Sequence, residues 1–393
     1  MKTLFCADAV FTADGGDHEL QEQAAVLVSA DGRIEAVGPS KVLRKKNHKE
    51  VIVSGVLLPG LIDVHTHLCL SASLDPFADA LAEHPARMTH RALNGLKAHL
   101  DAGVTTIRDV GGLHGIDLEM QHLVDEDKVE GPQVFASGKL ISMTGGHACL
   151  LGAQVNSPDE ARKAARQNLM DGARLLKVIA TGGVLTHGVQ PGAAQLTEAE
   201  MAAVCEEARK AGKIVAAHAQ GAEGIENALR AGVHSIEHGF WLSDQAIAMM
   251  TAGGQVMVPT FAALRAMQRL GDQLPQSIQD KIEESHPAHL DSFQRAMRAG
   301  CTIACGTDAG TPANPHGNIA DEIAAFRQSG MAIHDCWRSA TREGAVACGL
   351  EDRGVLGAGK RADLCAVSRE VFEMIPEVFK PHLVVRGGRI FRQ

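Results

Sequence analysis

Six residues carry the chemistry this sequence can perform: His65 and His67 in "GLIDVHTHL", Lys177 in "LLKVIATGG", His218 in "IVAAHAQG", His238 in "SIEHGF" and Asp308 in "IACGTDAG". Imidazole and carboxylate are ordinary ligands of divalent transition metals. Each of these residues stands at or near the end of a short apolar run that reads as a β-strand. Side chains alternate along a strand, so His65 and His67 point the same way and make half of a chelate. The gaps between the others are too long for a zinc-finger motif. They converge only if a fold brings several strand ends together. A lone histidine is usually a core or surface residue; a whole set of ligand types, all at strand ends, is a far less ordinary coincidence.

Lys177 is chemically different, because an ammonium has no lone pair to offer a metal. Burial disfavours its charged form and frees the amine. A neutral amine can take up carbon dioxide and become a carbamate, whose two oxygens can bridge two metals. An ordinary salt-bridged or solvated lysine is the alternative left open by the strand context.

The elements that must position these groups alternate. Strands are expected over 57–65, 105–110, 133–137, 175–179, 214–217, 235–237, 256–259 and 302–305. Helical stretches such as "SPDEARKAARQNLMDGA", "TEAEMAAVCEEARKAGK" and "GAEGIENALRAGV" separate most of them. Several stretches end in glycine before the next strand, the position of a left-handed helix C-cap. Eight such units predict an α/β fold, a (β/α)8 TIM barrel over residues 57–355, with the active site at the C-terminal ends of its strands. Residues 1–56 and 356–393 hold short strands broken by "ADGR" and "GG" turns. Neither end can complete a core alone, so both are expected to pair into one small β-sandwich domain.

Composition narrows the partners. The chain has 393 residues, 45% hydrophobic and 22% charged, which suits a globular domain with a large core. A net charge of −9 and the lack of a basic face argue against nucleic acid. The basic cluster "LRKKNHK" reads as a solvated turn. No apolar run reaches bilayer length, and the start lacks a signal-peptide core, so neither a membrane partner nor export is expected. Nine cysteines without a CxxC pair fit reduced thiols in a cytoplasm, with Cys301 and Cys305 as small core residues. The chain has no tyrosine.

The motifs "PGLIDVHTH", "KVIATGG", "AAHA", "EHG" and "GTDAG", with a closing "GAGKRADL", resemble those of the amidohydrolase superfamily over nearly the whole chain. "MTGGHA" and "GTDAGTPANPHGN" are similar to its metal-dependent prolidase-like and imidazolonepropionase-related branch. The resemblance implies that His65, His67 and Asp308 hold one metal and that His218 and His238 hold a second. Carboxylated Lys177 and a hydroxide would bridge them. Zinc is expected, since imidazole-rich sites favour it over magnesium or calcium. Imidazolonepropionases proper use one metal and lack the bridging lysine, so Lys177 argues against that activity.

The implied reaction is hydrolysis of an amide bond in a dipeptide or N-acyl amino acid. Two cations about 3.5–4 Å apart make a nucleophile of bridging water at neutral pH. Asp308 would take its proton and return it to the leaving nitrogen. His147, in the glycine-rich loop with Gly145 and Gly146, is the candidate donor to the oxyanion, unless it simply bonds a backbone carbonyl. Asp63 faces the same way as His65 and is expected to orient a ligand. His114, His187 and His316 sit in loops where they can reach substrate or form a polar rim. Where prolidase-like relatives often place a tyrosine after the seventh strand, this chain has "VPTFAALRAM" with Phe261 and Arg265, the arginine being either a carboxylate clamp or a surface helix residue. A carbamate, urea, lactam or lactone is the second substrate reading. A non-catalytic assembly protein is the third, which the intact ligand set argues against. The expected partner is a small molecule, the expected assembly a homo-oligomer.

Overall fold

The computed structural model describes residues 1–186 and 188–393. The chain opens with β1 (Thr3–Phe11), β2 (Leu20–Glu22), β3 (Ala24–Val28), β4 (Ile34–Pro39) and β5 (Lys49–Pro59). The central part holds β6 (Leu61–Thr66), β7 (Val104–Asp109), β8 (Gln133–Ala136), β9 (Leu140–Met143), β10 (Gly152–Val155), β11 (Leu175–Ile179), β12 (Ile214–Ala219), β13 (Ser235–His238), β14 (Val256–Val258) and β15 (Thr302–Ile303). It closes with β16 (Leu364–Val367), β17 (Leu383–Arg386) and β18 (Arg389–Arg392).

Both chain ends share one eight-stranded sheet, ordered β18-β17-β16-β5-β1-β3-β4 with β2 on β1. β16 runs antiparallel to β5, with Leu364 opposite Pro59, while β1 runs parallel to β5. Phe5, Val26, Leu57, Leu364 and Val385 pack into one apolar cluster, so neither end buries its face without the other.

The central strands are all parallel and form two sheets, β6-β7-β8 and β10-β9-β11-β12-β13-β14-β15. Backbone hydrogen bonds cross both gaps between them. Val64 N donates to Cys305 O at 3.0 Å and Asp308 N to His65 O at 2.7 Å on one side. Arg174 N donates to Ala136 O at 2.9 Å on the other. Helices intervene in the alternation the sequence suggests, among them Pro158–Met170, Glu198–Lys210 and Ala222–Ala231. The six glycines that close such helices, from Gly103 to Gly300, all have φ between 64° and 97°.

Two differences from expectation are instructive. The run 57–65 is not one strand. It passes from the terminal sheet to the central one at Gly60, where a Cβ would lie 2.2 Å from Thr105 Oγ1. Apolar character is continuous there because both strands are buried, so no break shows in the pattern. β9 and β10 lie outside the expected strands; at four residues each, they are too short to display a period. All nine cysteines are unpaired, and no helix among the described residues is long and apolar enough to cross a membrane.

Candidate metal centre and active site

Four strands and the segment that follows β15 deliver the six expected residues to one cavity. His65 lies in β6 and His67 directly after it; Lys177 lies in β11, His218 in β12, and His238 ends β13. All five are buried, and with Asp308 and His147 they line the cavity. Nε2 of His65 and Nε2 of His67 each lie 3.4 Å from Asp308 Oδ1. Ring centroids are 5.1 Å apart for His65 and His238, and 4.6 Å for His218 and His238. Ligand atoms of His65, His238 and Asp308 all fall within 4.8 Å of one another. Asp308 and His238 hold left-handed backbone, φ 58° and 72°, a strain that persists where the surroundings over-determine it.

Outer hydrogen bonds orient the imidazoles. His65 Nδ1 lies 2.7 Å from Glu237 Oε2, and His67 Nδ1 lies 3.0 Å from Gly111 O. Both partners only accept, so Nδ1 carries a proton in each ring, and the neutral form of either ring keeps its lone pair on Nε2. His238 Nδ1 meets Thr260 Oγ1 at 2.7 Å. His218 differs, its Nε2 lying 3.3 Å from Gly182 O.

Burial, reinforced by Lys177, holds His65, His218 and His238 well below the usual imidazole range, so they are neutral and able to ligate. For His67 burial also opposes charge, but Asp308 and Asp109 outweigh it and raise its pKa. Burial brings Lys177 down to about 8, with Arg108 acting the same way and Glu237 and Asp308 opposing.

Sequence reasoning missed the layer beneath. Arg108, wholly buried in β7, binds Glu237 through Nη2 at 2.7 and 2.9 Å. Its Nη1 reaches Ser235 Oγ and Ala347 O, both at 3.0 Å, and its Nε bonds Val64 O. Glu237 thus joins a buried guanidinium to a candidate ligand. The available signal was a charge of each sign inside otherwise apolar strands, in "TTIRDV" and "SIEHGF". Asp63, expected to orient a ligand, meets the backbone of one: its Oδ1 accepts from the N–H of His65 at 3.3 Å. It also accepts from Thr307 N at 3.0 Å and Thr307 Oγ1 at 2.7 Å, tying β6 to the segment that carries Asp308. Burial raises its pKa to about 7.

His147 follows β9, its ring centroid 4.3 Å from that of His218. Its Nδ1 bonds the Thr186 hydroxyl rather than a backbone carbonyl, and its backbone N–H donates to Gln195 Oε1 at 2.9 Å. Burial lowers its pKa to about 3, so the ring is neutral.

The other expected substrate contacts are not brought to the cavity. Arg265 is engaged with Asp321, Gln328 and Glu377. His114 is exposed and outside the lining. His316 packs against His99, ring centroids 5.4 Å apart. His187 lies outside the described residues. The remaining walls are mostly apolar, with Phe77, Leu151, Val184, Phe240, Leu264 and Met267 prominent, and no arginine among the described residues lines them.

A sequence model of the amidohydrolase family matches residues 56–391. The chain belongs to that family. Ochratoxinase of Aspergillus niger is 30% identical over an alignment of 415 residues, spanning 96% of this chain and 84% of that protein. Imidazolonepropionase of Cutibacterium acnes is 26% identical over 390 residues, spanning 94% and 90%. A crystal structure of a Xaa-Pro dipeptidase with methionine bound in its active site superposes with a TM-score of 0.90 at 29% identity, covering 100% of both chains. Amidohydrolases generally use metal ions, and the donor set here fits them: buried imidazoles with oriented rings, three of them held neutral, and a carboxylate oxygen 3.4 Å from Nε2 of both His65 and His67.

Proposed function

We propose that this amidohydrolase is a dinuclear metal-dependent hydrolase that cleaves the amide bond of a dipeptide or N-acyl amino acid. The observation that carries the reading is the convergence of His65, His67, Lys177, His218, His238 and Asp308 on one buried cavity. His65, His67 and Asp308 would hold one metal, and His218 and His238 the other. Lys177 Nζ, losing a proton and adding carbon dioxide, would hold both through its carbamate oxygens. When bound, such metals, zinc in our reading, acidify water and polarise a carbonyl.

The chain's own groups do the rest. Asp308 accepts the proton of the attacking water as its oxygen bonds the acyl carbon, and passes it to the nitrogen as the C–N bond breaks. His147 Nε2, with Nδ1 facing the Thr186 hydroxyl, donates to the carbonyl oxygen as charge develops. Glu237 keeps His65 in its ligating tautomer. The apolar walls exclude bulk water and favour apolar substituents. Similarity to a Xaa-Pro dipeptidase supports a dipeptide-sized substrate. In the same reading the two parallel sheets close into a (β/α)8 barrel over 57–355. Residues 1–56 with 356–393 pair into one small β-sandwich domain beside it. The unpaired cysteines suit a cytoplasmic enzyme.

The placement of Arg265, His114 and His316 outside the cavity lining favours a second reading, hydrolysis of a carbamate, urea, lactam or lactone that brings no free carboxylate. Metal analysis and paired substrates test both. The purified protein should carry close to two metals, and Lys177→Ala should be inactive but partly rescued by short carboxylic acids. A dipeptide should be cleaved faster than its C-terminally amidated twin. Equal turnover of the twins transfers the lead to the second reading; full activity after metal removal overturns both.

A further inference from the structure

We infer that Lys281 is a positioning residue that latches the loop after β11 over the cavity and, through Thr186, aims His147; this rests on the proposed role of His147 in hydrolysis. Lys281 belongs to the helix Gln276–Arg298, outside the ligand-bearing strands. It makes no salt bridge among the described residues, although Asp280, Glu283 and Glu284 stand beside it in sequence. Its ammonium instead donates to backbone carbonyls of the loop, Thr186 O at 2.6 Å and Val184 O at 3.5 Å. An ammonium offers three donors and strengthens each bond by its charge, so it can hold a segment that has no strand partner.

The loop touches His147 on two sides. The Thr186 hydroxyl bonds Nδ1, which decides what Nε2 presents to the cavity. Gly183 lies against the same ring: a Cβ there would come within 2.5 Å of His147 Cε1. Between these contacts, Val184 and Leu185 face the cavity. Val184 also packs with Phe240, Leu264, Met267, Leu274 and Ile282 in an apolar cluster separate from the main core. Ile282 follows Lys281 directly, so one turn of the helix gives the loop both an apolar seat and a charged latch. Releasing the ammonium removes the polar half of that attachment and frees Thr186 to turn from His147.

The test compares Lys281→Met, which keeps length but removes the donors, with Lys281→Arg, which restores donors. Lys281→Met should lower kcat by between about ten- and a hundredfold, as misplacement of a catalytic group does, with little change in KM. Lys281→Arg should recover most of the loss. In a His147→Ala background Lys281→Met should cost nothing further. Independently of any substrate, Lys281→Met should accelerate backbone amide exchange at residues 183–186 and broaden the His147 ring-nitrogen signals, with the melting temperature little changed. Unaltered exchange and ring signals, or a loss of activity additive with His147→Ala, overturns the inference. If no amide is hydrolysed by any form, exchange and ring signals still decide the latch, so its failure and that of the functional reading remain distinct.

Discussion

The floor of the cavity is polar and grows from strand ends; its roof is apolar and rests on a loop and two helices. Floor side chains are held by short, directional contacts: Arg108 to Glu237, Glu237 to His65, Thr260 to His238, Asp63 to Thr307. Roof side chains Val184, Leu264 and Met267 are held by non-directional packing and, at one point, by the Lys281 ammonium. Such a division separates two tasks. Ligation and proton transfer, the roles proposed for the floor, need closely fixed geometry, and directional contacts supply it. Substrate choice needs only shape and apolar area, and those can change by substitution without disturbing the floor.

The sharpest way to break this comparison is at Asp308. Asp308→Asn keeps an oxygen for ligation but cannot take a proton. We expect kcat to fall by about 10²–10⁴-fold while metal content, read by elemental analysis, largely persists. A loss smaller than tenfold would remove Asp308 from proton transfer.

Glu237→Gln tests whether the floor is one connected unit. The variant leaves Arg108 buried without its counter-charge and His65 without an anionic partner. The metal-free folded state should be destabilised by about 3–5 kcal/mol, read from equilibrium unfolding. Metal affinity, measured by chelator competition, should weaken by about 10–100-fold. No change in either would reduce Glu237 to a space filler.

The smallest effect belongs to the roof. Leu264→Asn should leave metal content close to the parent's, while the amide placed in the apolar cluster lowers metal-free stability by about 1–3 kcal/mol. It should shift the ratio of kcat/KM between an apolar substrate and its polar analogue by on the order of tenfold. Loss of metal from this variant would mean that floor and roof are not separable.

The sequence alone determined the candidate ligands, their place at strand ends and the alternation that lets distant ends meet, because strand period and helix-ending glycines are local signals. His65 and His67 are legible as a pair for that reason, and the family could be read from the motifs around them. What lies one contact further out was decided only by the tertiary structure. Glu237 follows Ile236 and precedes His238 in the chain, and nothing local says that it binds Arg108 from another strand or that His65 is its target. Asp63, on the same face as His65, accepts from the His65 backbone and also from Thr307 on the segment after β15, a long-range partner that no local pattern announces. Arg265 was ambiguous by type and was settled by its neighbours Asp321, Gln328 and Glu377. The bridge at Gly60 was hidden because two buried strands in sequence leave no polar residue to mark the crossing. Side-chain type and spacing encode which groups are available; which groups touch depends on long-range packing, and packing has no local signature.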